Sequence, residues 1–183
     1  MCGPRGLPPG HNFLFHNEGS GRFADVSAQS GTGKSTDCYA FTALASDFDN
    51  NGYPDLYVAC DSRPSLLYHN QTNGNFEEIG IASGVALNED GQEQAGMGVA
   101  GADYDEDGFI DIAKTNFSED SPNLYHNNGD LSFVDHVYES GLGGRPQYLG
   151  WGIEFIDVDN DGLKDLLIVK RARLSADRPQ FLQ

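Results

Sequence analysis

Asp103-Tyr-Asp-Glu-Asp-Gly-Phe-Ile-Asp111 is one of three nine-residue stretches cut to a single pattern. The others are Asp47-Phe-Asp-Asn-Asn-Gly-Tyr-Pro-Asp55 and Asp157-Val-Asp-Asn-Asp-Gly-Leu-Lys-Asp165. Each carries a carboxylate or amide at positions 1, 3, 5 and 9, glycine at position 6, and leucine or isoleucine at position 10. Alternate spacing lets one tight loop turn several oxygens inward, and glycine at position 6 permits a backbone conformation that a Cβ resists. Carboxylates this dense repel one another unless a cation lies among them. Oxygen ligands at flexible geometry suit Ca²⁺, and the absence of His and Cys from the loops argues against zinc. The candidate ligands are Asp47, Asp49, Asn51, Tyr53 and Asp55 in the first loop. They are Asp103, Asp105, Asp107, Phe109 and Asp111 in the second, and Asp157, Asp159, Asp161, Leu163 and Asp165 in the third. About three Ca²⁺ ions are expected.

An EF-hand would need a bidentate Glu at position 12 and flanking helices. Position 12 here is Val58, Lys114 or Ile168, and each loop runs into a short apolar stretch: Leu56–Cys60, Ile112–Thr115 or Leu166–Val169. These stretches read as strands, so each loop joins two strands, with Asp55, Asp111 and Asp165 entering the second.

Outward from the loops a second motif recurs: Phe13-Leu-Phe-His-Asn17, Leu66-Leu-Tyr-His-Asn70 and Asn123-Leu-Tyr-His-Asn127, with Phe23, Phe76 and Phe133 each six residues after the Asn. The Gly-, Asn-, Ser- and Asp-rich residues between mark a β-hairpin turn. Ser-Gly follows at 30–31, 83–84 and 140–141. The first aspartates of the loops lie 56 and 54 residues apart. Four short strands repeated at such a period signal β-propeller blades. The inner strands are expected at Tyr39–Ser46, Gly96–Ala102 and Leu149–Ile156. The fold class is therefore all-β, with about three blade equivalents over residues 12–169: a hairpin at 12–26, blades at 39–80 and 95–138, and a half-blade at 149–169. Residues 1–11 read as an N-terminal extension. Residues 170–183 read as a basic tail outside the repeat, holding Lys170, Arg171, Arg173 and Arg178 of the chain's 11 basic residues. Three blade equivalents fall below the four to eight of closed propellers, so the chain reads as part of a longer protein. The open blade faces at either end are expected to favour self-association.

The 183 residues carry a net charge of −17, and 11 of the 28 acidic residues are aspartates of the three loops. Three Ca²⁺ ions would cancel six of these charges; the remaining acidity disfavours nucleic acid, whose phosphates need a basic surface. No run approaches a transmembrane helix in length, and residues 1–10 have no apolar signal-peptide core. Cys2, Cys38 and Cys60 fit no metal spacing. Buried free thiols are expected in preference to a Cys38–Cys60 bridge across one blade.

The loop and its following strand resemble the FG-GAP repeat, also called VCBS, of integrin α-subunit propellers. Gln94-Ala-Gly-Met-Gly98, Asn123-Leu-Tyr-His-Asn-Asn-Gly129 and Leu149-Gly-Trp-Gly152 are similar to linking segments of the cartilage-acidic-protein and ASPIC/UnbV branch. So is the Cys2-Gly-Pro-Arg-Gly-Leu7 opening. The resemblance covers residues 2–169. It implies a seven-bladed, secreted, calcium-binding propeller used in adhesion or extracellular recognition. Asn51 departs from the aspartate usual at position 5, and the C-terminal ASPIC/UnbV domain is absent.

Other motifs carry less. Ala28-Gln-Ser-Gly-Thr-Gly-Lys-Ser35 matches a relaxed phosphate loop but falls in an inter-blade linker, with no helix expected from Lys34. His16, His69 and His126 occur once per blade at equivalent positions. Sheets stacked about 10 Å apart cannot bring them to one zinc ion, so they read as structural. Glu154 reads as a solvated carboxylate on an innermost strand. Asn70-Gln-Thr72 and Asn116-Phe-Ser118 are glycosylation sequons if the protein is secreted from a eukaryotic cell. No nucleophile–base–acid set is visible, so no catalysis is expected. The expected function is a calcium-binding extracellular or periplasmic recognition module for a protein or glycan ligand, with no nucleic acid and no membrane span. The alternatives are structural spacer repeats of a larger secreted protein, or part of a propeller-type polysaccharide lyase or hydrolase.

Overall fold

The computed structural model describes residues 4–117, 120–144 and 148–172. Within them, β1 (Phe15–Gly19) and β2 (Arg22–Asp25) form a hairpin. β3 (Ala40–Ser46), β4 (Asp55–Cys60), β5 (Leu66–Asn70) and β6 (Phe76–Glu78) form one four-stranded antiparallel sheet. β7 (Gly96–Ala102), β8 (Asp111–Asn116), β9 (Asn123–Asn127) and β10 (Phe133–Asp135) form another, and β11 (Tyr148–Ile156) pairs with β12 (Asp165–Ala172). Each four-stranded sheet is an up-and-down meander in chain order, the layout of a propeller blade. Short four-residue helices, α1 (Ser27–Ser30) and α2 (Gly80–Ser83), occupy the linkers.

The hairpins form in one register because one motif writes them. Asn17 faces Phe23, Asn70 faces Phe76 and Asn127 faces Phe133. Tyr68 and Tyr125 of this motif are buried between sheets, and their hydroxyls donate to the Thr32 and Leu87 carbonyls of neighbouring linkers at 3.0 and 3.1 Å. Alternation along the strands sends successive side chains to opposite faces. Tyr57, Ala59 and Leu67 of the first blade therefore meet Ile112, Tyr125 and Phe133 of the second in the main core, with Phe48 edge-on to Phe133. A second layer joins Ala100, Ala113 and Leu124 to Ile153, Leu166 and Ile168. Both faces of β4 and β8 are thus covered, as their continuous apolar runs anticipate.

β3, β7 and β11 are the inner strands, with β7 lying against both β3 and β11. Their approach is close enough that a Cβ on Gly98 would collide with the Trp151 carbonyl oxygen. Thr115 Oγ1 accepts from Gly98 N at 3.0 Å and donates to the same Trp151 carbonyl at 2.8 Å, tying β7, β8 and β11 together. Glu154 lies exposed on β11.

Three expectations need correction. Cys38 and Cys60 are not free thiols: they form a disulfide where β4 ends beside the start of β3, with their Cα atoms 5.4 Å apart. Asn70 and Asn116 are buried strand residues whose amides donate to main-chain carbonyls, so neither sequon presents an acceptor in the folded protein; Ser118 lies outside the described residues. β12 continues to Ala172, so Lys170 and Arg171 pair with Gly150 and Leu149 inside the sheet rather than belonging to a tail. Arg173 and Arg178 lie outside the described residues. The phosphate-loop-like segment forms α1 and a 3₁₀ turn that ends at Lys34 instead of opening a helix there.

Lys114 is the anomaly in the core. It occupies the position that Val58 and Ile168 fill in the other repeats and is 1% exposed. Its ammonium reaches Gln94 Oε1 at 3.4 Å and lies 5.7 Å above the Tyr125 ring. Burial pushes the ammonium down to about 8, against the pull of Asp135 and Asp120. The unfolded chain then binds the extra proton between about pH 8 and 10.4, so stability rises with pH across that window. Above it the buried Tyr57 and Tyr125 hydroxyls, raised by burial, oppose the trend. Urea unfolding is expected to show this rise between about pH 8 and 10. Lys114→Met should abolish it and leave the protein about 1–4 kcal/mol more stable, since an incompletely compensated buried charge is removed. Gly98→Ala should lower stability by about 2 kcal/mol or more, because the obstacle is backbone and cannot rotate away; thermal unfolding monitored by circular dichroism checks both variants.

Candidate metal centres

One hydrogen-bond scheme builds all three loops. The first aspartate accepts the N–H groups of positions 5 and 6: Asp47 takes Asn51 and Gly52 at 3.0 and 2.8 Å, Asp103 takes Asp107 and Gly108 at 3.1 and 2.9 Å, and Asp157 takes Asp161 and Gly162 at 3.2 and 3.0 Å. Position 5 accepts from the N–H of position 7 at 2.8 Å in every copy. The glycines at position 6 have φ between 89° and 96°. Position 4 is left-handed too, at Asn50, Glu106 and Asn160, a region that asparagine tolerates better than glutamate.

Folded this way, the loops bring positions 1, 3 and 9 together. Carboxylate oxygens of Asp47, Asp49 and Asp55 lie within 4.8 Å of one another, as do those of Asp103, Asp105 and Asp111, and those of Asp157, Asp159 and Asp165. Position 5 is placed differently. Asp107 groups with Asp105 and His126, whereas Asp161 joins no such group among the described residues. Asn51 donates its amide to Asp49 Oδ2 at 2.9 Å. Phe109 and Leu163 at position 7 have only a main-chain carbonyl to offer, and Tyr53 a phenol besides.

The ninth aspartate anchors each loop to its blade. Asp55 and Asp111 are fully buried. Their Oδ2 atoms accept Phe48 N at 3.3 Å and Tyr104 N at 3.1 Å. Their Oδ1 atoms accept Asn70 N at 2.7 Å and Asn127 N at 2.8 Å, from β5 and β9. Burial raises both carboxyls, Asp111 to about 6, against the pull of those donors. Asp165 accepts Val158 N at 3.0 Å and is exposed.

The hairpin histidines do not converge on one point, but they are more than filler. His69 Nδ1 lies 3.1 Å from Asp55 Oδ1 and 3.8 Å from Asp49 Oδ2. His126 Nδ1 lies 3.2 Å from Asp105 Oδ2 and 3.4 Å from Asp111 Oδ1, buried and without a hydrogen-bond partner. Sequence reading missed this placement. The signal was available: the histidine precedes the Asn whose N–H reaches the ninth aspartate.

Neighbouring loops share one end of the blades. Asn50 donates to the Gly108 carbonyl at 3.0 Å, and Asn127 donates to the Phe48 and Ile110 carbonyls at 2.8 and 3.0 Å. The densely placed carboxylate oxygens suit a hard divalent cation, while the His126 nitrogen beside the second set is a softer donor.

Residues 6–58, 47–114 and 103–168 match the FG-GAP-like repeat family. Cartilage acidic protein 1 of Xenopus tropicalis is 28% identical over 165 residues, covering 87% of this chain and 25% of that protein. Cartilage acidic protein 1 of Mus musculus is 32% identical over 94 residues, 51% of this chain and 14% of that protein. For the Homo sapiens protein the identity is 30% over 94 residues, 51% and 13%. The chain spans a quarter or less of the length of these relatives.

Because Asn51 supplies an amide where Asp107 and Asp161 supply charge, the first loop is expected to bind calcium most weakly. Calorimetric titration with CaCl₂ should show Asn51→Asp raising the affinity of the weakest site roughly tenfold. Asp105→Ala and Asp159→Ala should cost more than Asp49→Ala; equal losses would contradict the ranking.

Proposed function

The chain belongs to the FG-GAP-like repeat family, and from that premise we propose that it is a calcium-stabilised recognition segment of an extracellular propeller, without catalysis of its own. The observation that carries this reading is the threefold repetition of one carboxylate cluster on one hydrogen-bonded scaffold. A bound divalent ion would neutralise carboxylates that otherwise repel. The chain's own part is to hold them in place: positions 1 and 5 are fixed by loop N–H groups and position 9 by an N–H group from its own loop, joined in the two complete blades by one from the third strand. In those blades the ninth aspartate connects the loop to the sheet, so occupancy of the loop reinforces the blade itself.

An oxidising compartment supports the extracellular setting, since a disulfide closes β3 on β4. Extracellular calcium modules bind at about 10⁻⁴–10⁻³ M, matched to millimolar calcium outside cells. Among the described residues no helix is long and apolar enough to cross a membrane. The partner on this reading is a protein or glycan that meets the loops and turns displayed at the blade ends.

Melting the protein with millimolar calcium and again after chelation tests the reading. Each site should contribute about 0.4–1.4 kcal/mol at millimolar calcium, so a fall of several degrees is expected for three sites together. An unchanged melting temperature would show that the loops are not calcium sites. A glycan array, paired with a lyase and hydrolase assay on polysaccharides, separates recognition from turnover.

A further inference from the structure

We propose that the second loop holds a further metal site beside its calcium cluster: Asp105, Asp107 and His126 bind one borderline divalent cation, Zn²⁺, through two carboxylate oxygens and an imidazole nitrogen. The site lies outside the calcium reading of that loop, sharing only Asp105 with the cluster of Asp103, Asp105 and Asp111.

Its donors are already gathered. One oxygen from each aspartate and one nitrogen of His126 lie within 4.8 Å of one another. His126 Nδ1 is 3.2 Å from Asp105 Oδ2. Ligands held at zinc's usual bond lengths on one tetrahedral ion stand about 3.3 Å apart, so this pair has the spacing of two neighbours on zinc. The competing reading is an ordinary ion pair, and the hydrogen-bond geometry speaks against it. Nδ1 is buried and makes no hydrogen bond, although oxygens of Asp105 and Asp111 lie at 3.2 and 3.4 Å. A nitrogen so near two carboxylates, with no proton directed at either, is placed as a lone-pair donor.

The first loop shows the ordinary arrangement. His69 Nδ1 hydrogen-bonds Asp55 Oδ1 at 3.1 Å and stays 3.8 Å from Asp49 Oδ2. Asn51 stands there at position 5, and its amide donates to that same Asp49 oxygen at 2.9 Å. The oxygen equivalent to the one facing His126 is therefore already engaged. At the third loop Asp157, Asp159 and Asp165 group together, and among the described residues no imidazole joins them. The mixed donor set thus follows from two residues occurring together, Asp107 in the loop and His126 in the hairpin.

Neighbouring rings fix the imidazole. His136 stacks on His126 with ring centroids 5.0 Å apart and planes 8° from parallel. Tyr104 stands across His126 at 79°, and its hydroxyl lies 3.3 Å from His136 Nδ1. The corresponding residues of the first blade are Phe48 and Ile79, which are apolar and pack in the main core. Metal-binding histidines are commonly oriented by such an outer layer, whose loss costs about 10–100-fold in affinity.

Donor type and charge separate the two sites. Asp103, Asp105 and Asp111 offer oxygen alone, the set that Ca²⁺ prefers, whereas imidazole favours zinc and other late first-row ions. Asp103, Asp105, Asp107 and Asp111 carry four negative charges, which two divalent ions would balance. Asp105 and Asp107 are exposed, so an ion reaches them from solvent. Three protein ligands leave one position of a tetrahedral ion for water.

Titrating the full chain with ZnSO₄ in millimolar CaCl₂, in a Cys2→Ser background that removes the thiol outside the Cys38–Cys60 bond, tests the site. Calorimetry should show one Zn²⁺ per chain, and Co²⁺ in its place should give the visible bands of a tetrahedral site. His126→Gln and Asp107→Asn should each abolish this binding in chains that circular dichroism shows to be folded. His136→Leu should weaken it about tenfold or more, and His16→Gln should leave it unchanged. With every histidine intact, Co²⁺ should shift the ring-proton resonances of His126 and His136 and spare those of His16. Zinc binding that survives His126→Gln overturns the proposal, as does zinc that calcium displaces one for one, or a Co²⁺ shift spread over all five histidines. Zinc binding without calcium binding retires the calcium reading alone, and calcium binding without zinc retires this proposal alone.

Discussion

A buried aspartate at the ninth position of the loop holds each complete blade together from within. Asp55 and Asp111 accept one N–H group from their own loop and another from the third strand, so one carboxylate joins the first turn of the blade to its outer hairpin. Burial makes the charged form unfavourable and raises both carboxyls. The donors are what make an ionised group tolerable there, and a cation among the neighbouring carboxylates would add to them. Blade architecture and the clustering of the loop carboxylates are therefore one constraint. A loop that satisfies its ninth aspartate has already arranged the first and third to face it.

Stacking follows from the same strands. Once the ninth aspartate fixes where β4 and β8 begin, alternation decides which side chains look forward and which look back. Tyr57, Ala59 and Leu67 meet Ile112, Tyr125 and Phe133 without a gap. The inner strands close further, and Gly98 exists because the Trp151 carbonyl occupies the space a side chain would need. Lys114 breaks the apolar rule at a position where the other repeats place Val58 and Ile168. Its ammonium is held by one amide oxygen, one aromatic face and the pull of Asp135 and Asp120.

Much was legible in the sequence because repetition is legible. Three loops in one register, three Leu-aromatic-His-Asn motifs and three Ser-Gly landmarks fixed the strand order and the hairpin turns to within a residue or two. Local chemistry sufficed there: glycine at position 6 and alternating oxygens dictate the loop whatever surrounds it. The Cys38–Cys60 bond was not legible, since two cysteines 22 residues apart become neighbours only when β3 lies antiparallel to β4. Nor was the burial of Asn70 and Asn116, whose sequons look like surface features until the strands around them are assembled.

The sequence by itself determined the repeat, the loop conformation and the set of oxygens each loop can offer, because those depend on residues adjacent along the chain. Tertiary structure decided which oxygens meet. It placed His69 and His126 beside carboxylates 14 and 15 residues earlier, through the pairing of the second strand with the third. It grouped Asp107 with Asp105 and His126 rather than with Asp103 and Asp111. It also made the three loops unequal: Asp55 and Asp111 are sealed by a hairpin from their own blade, while Asp165 is exposed on a strand that, among the described residues, pairs with β11 alone. That difference lies in the packing between segments far apart in sequence, which no nine-residue pattern can express.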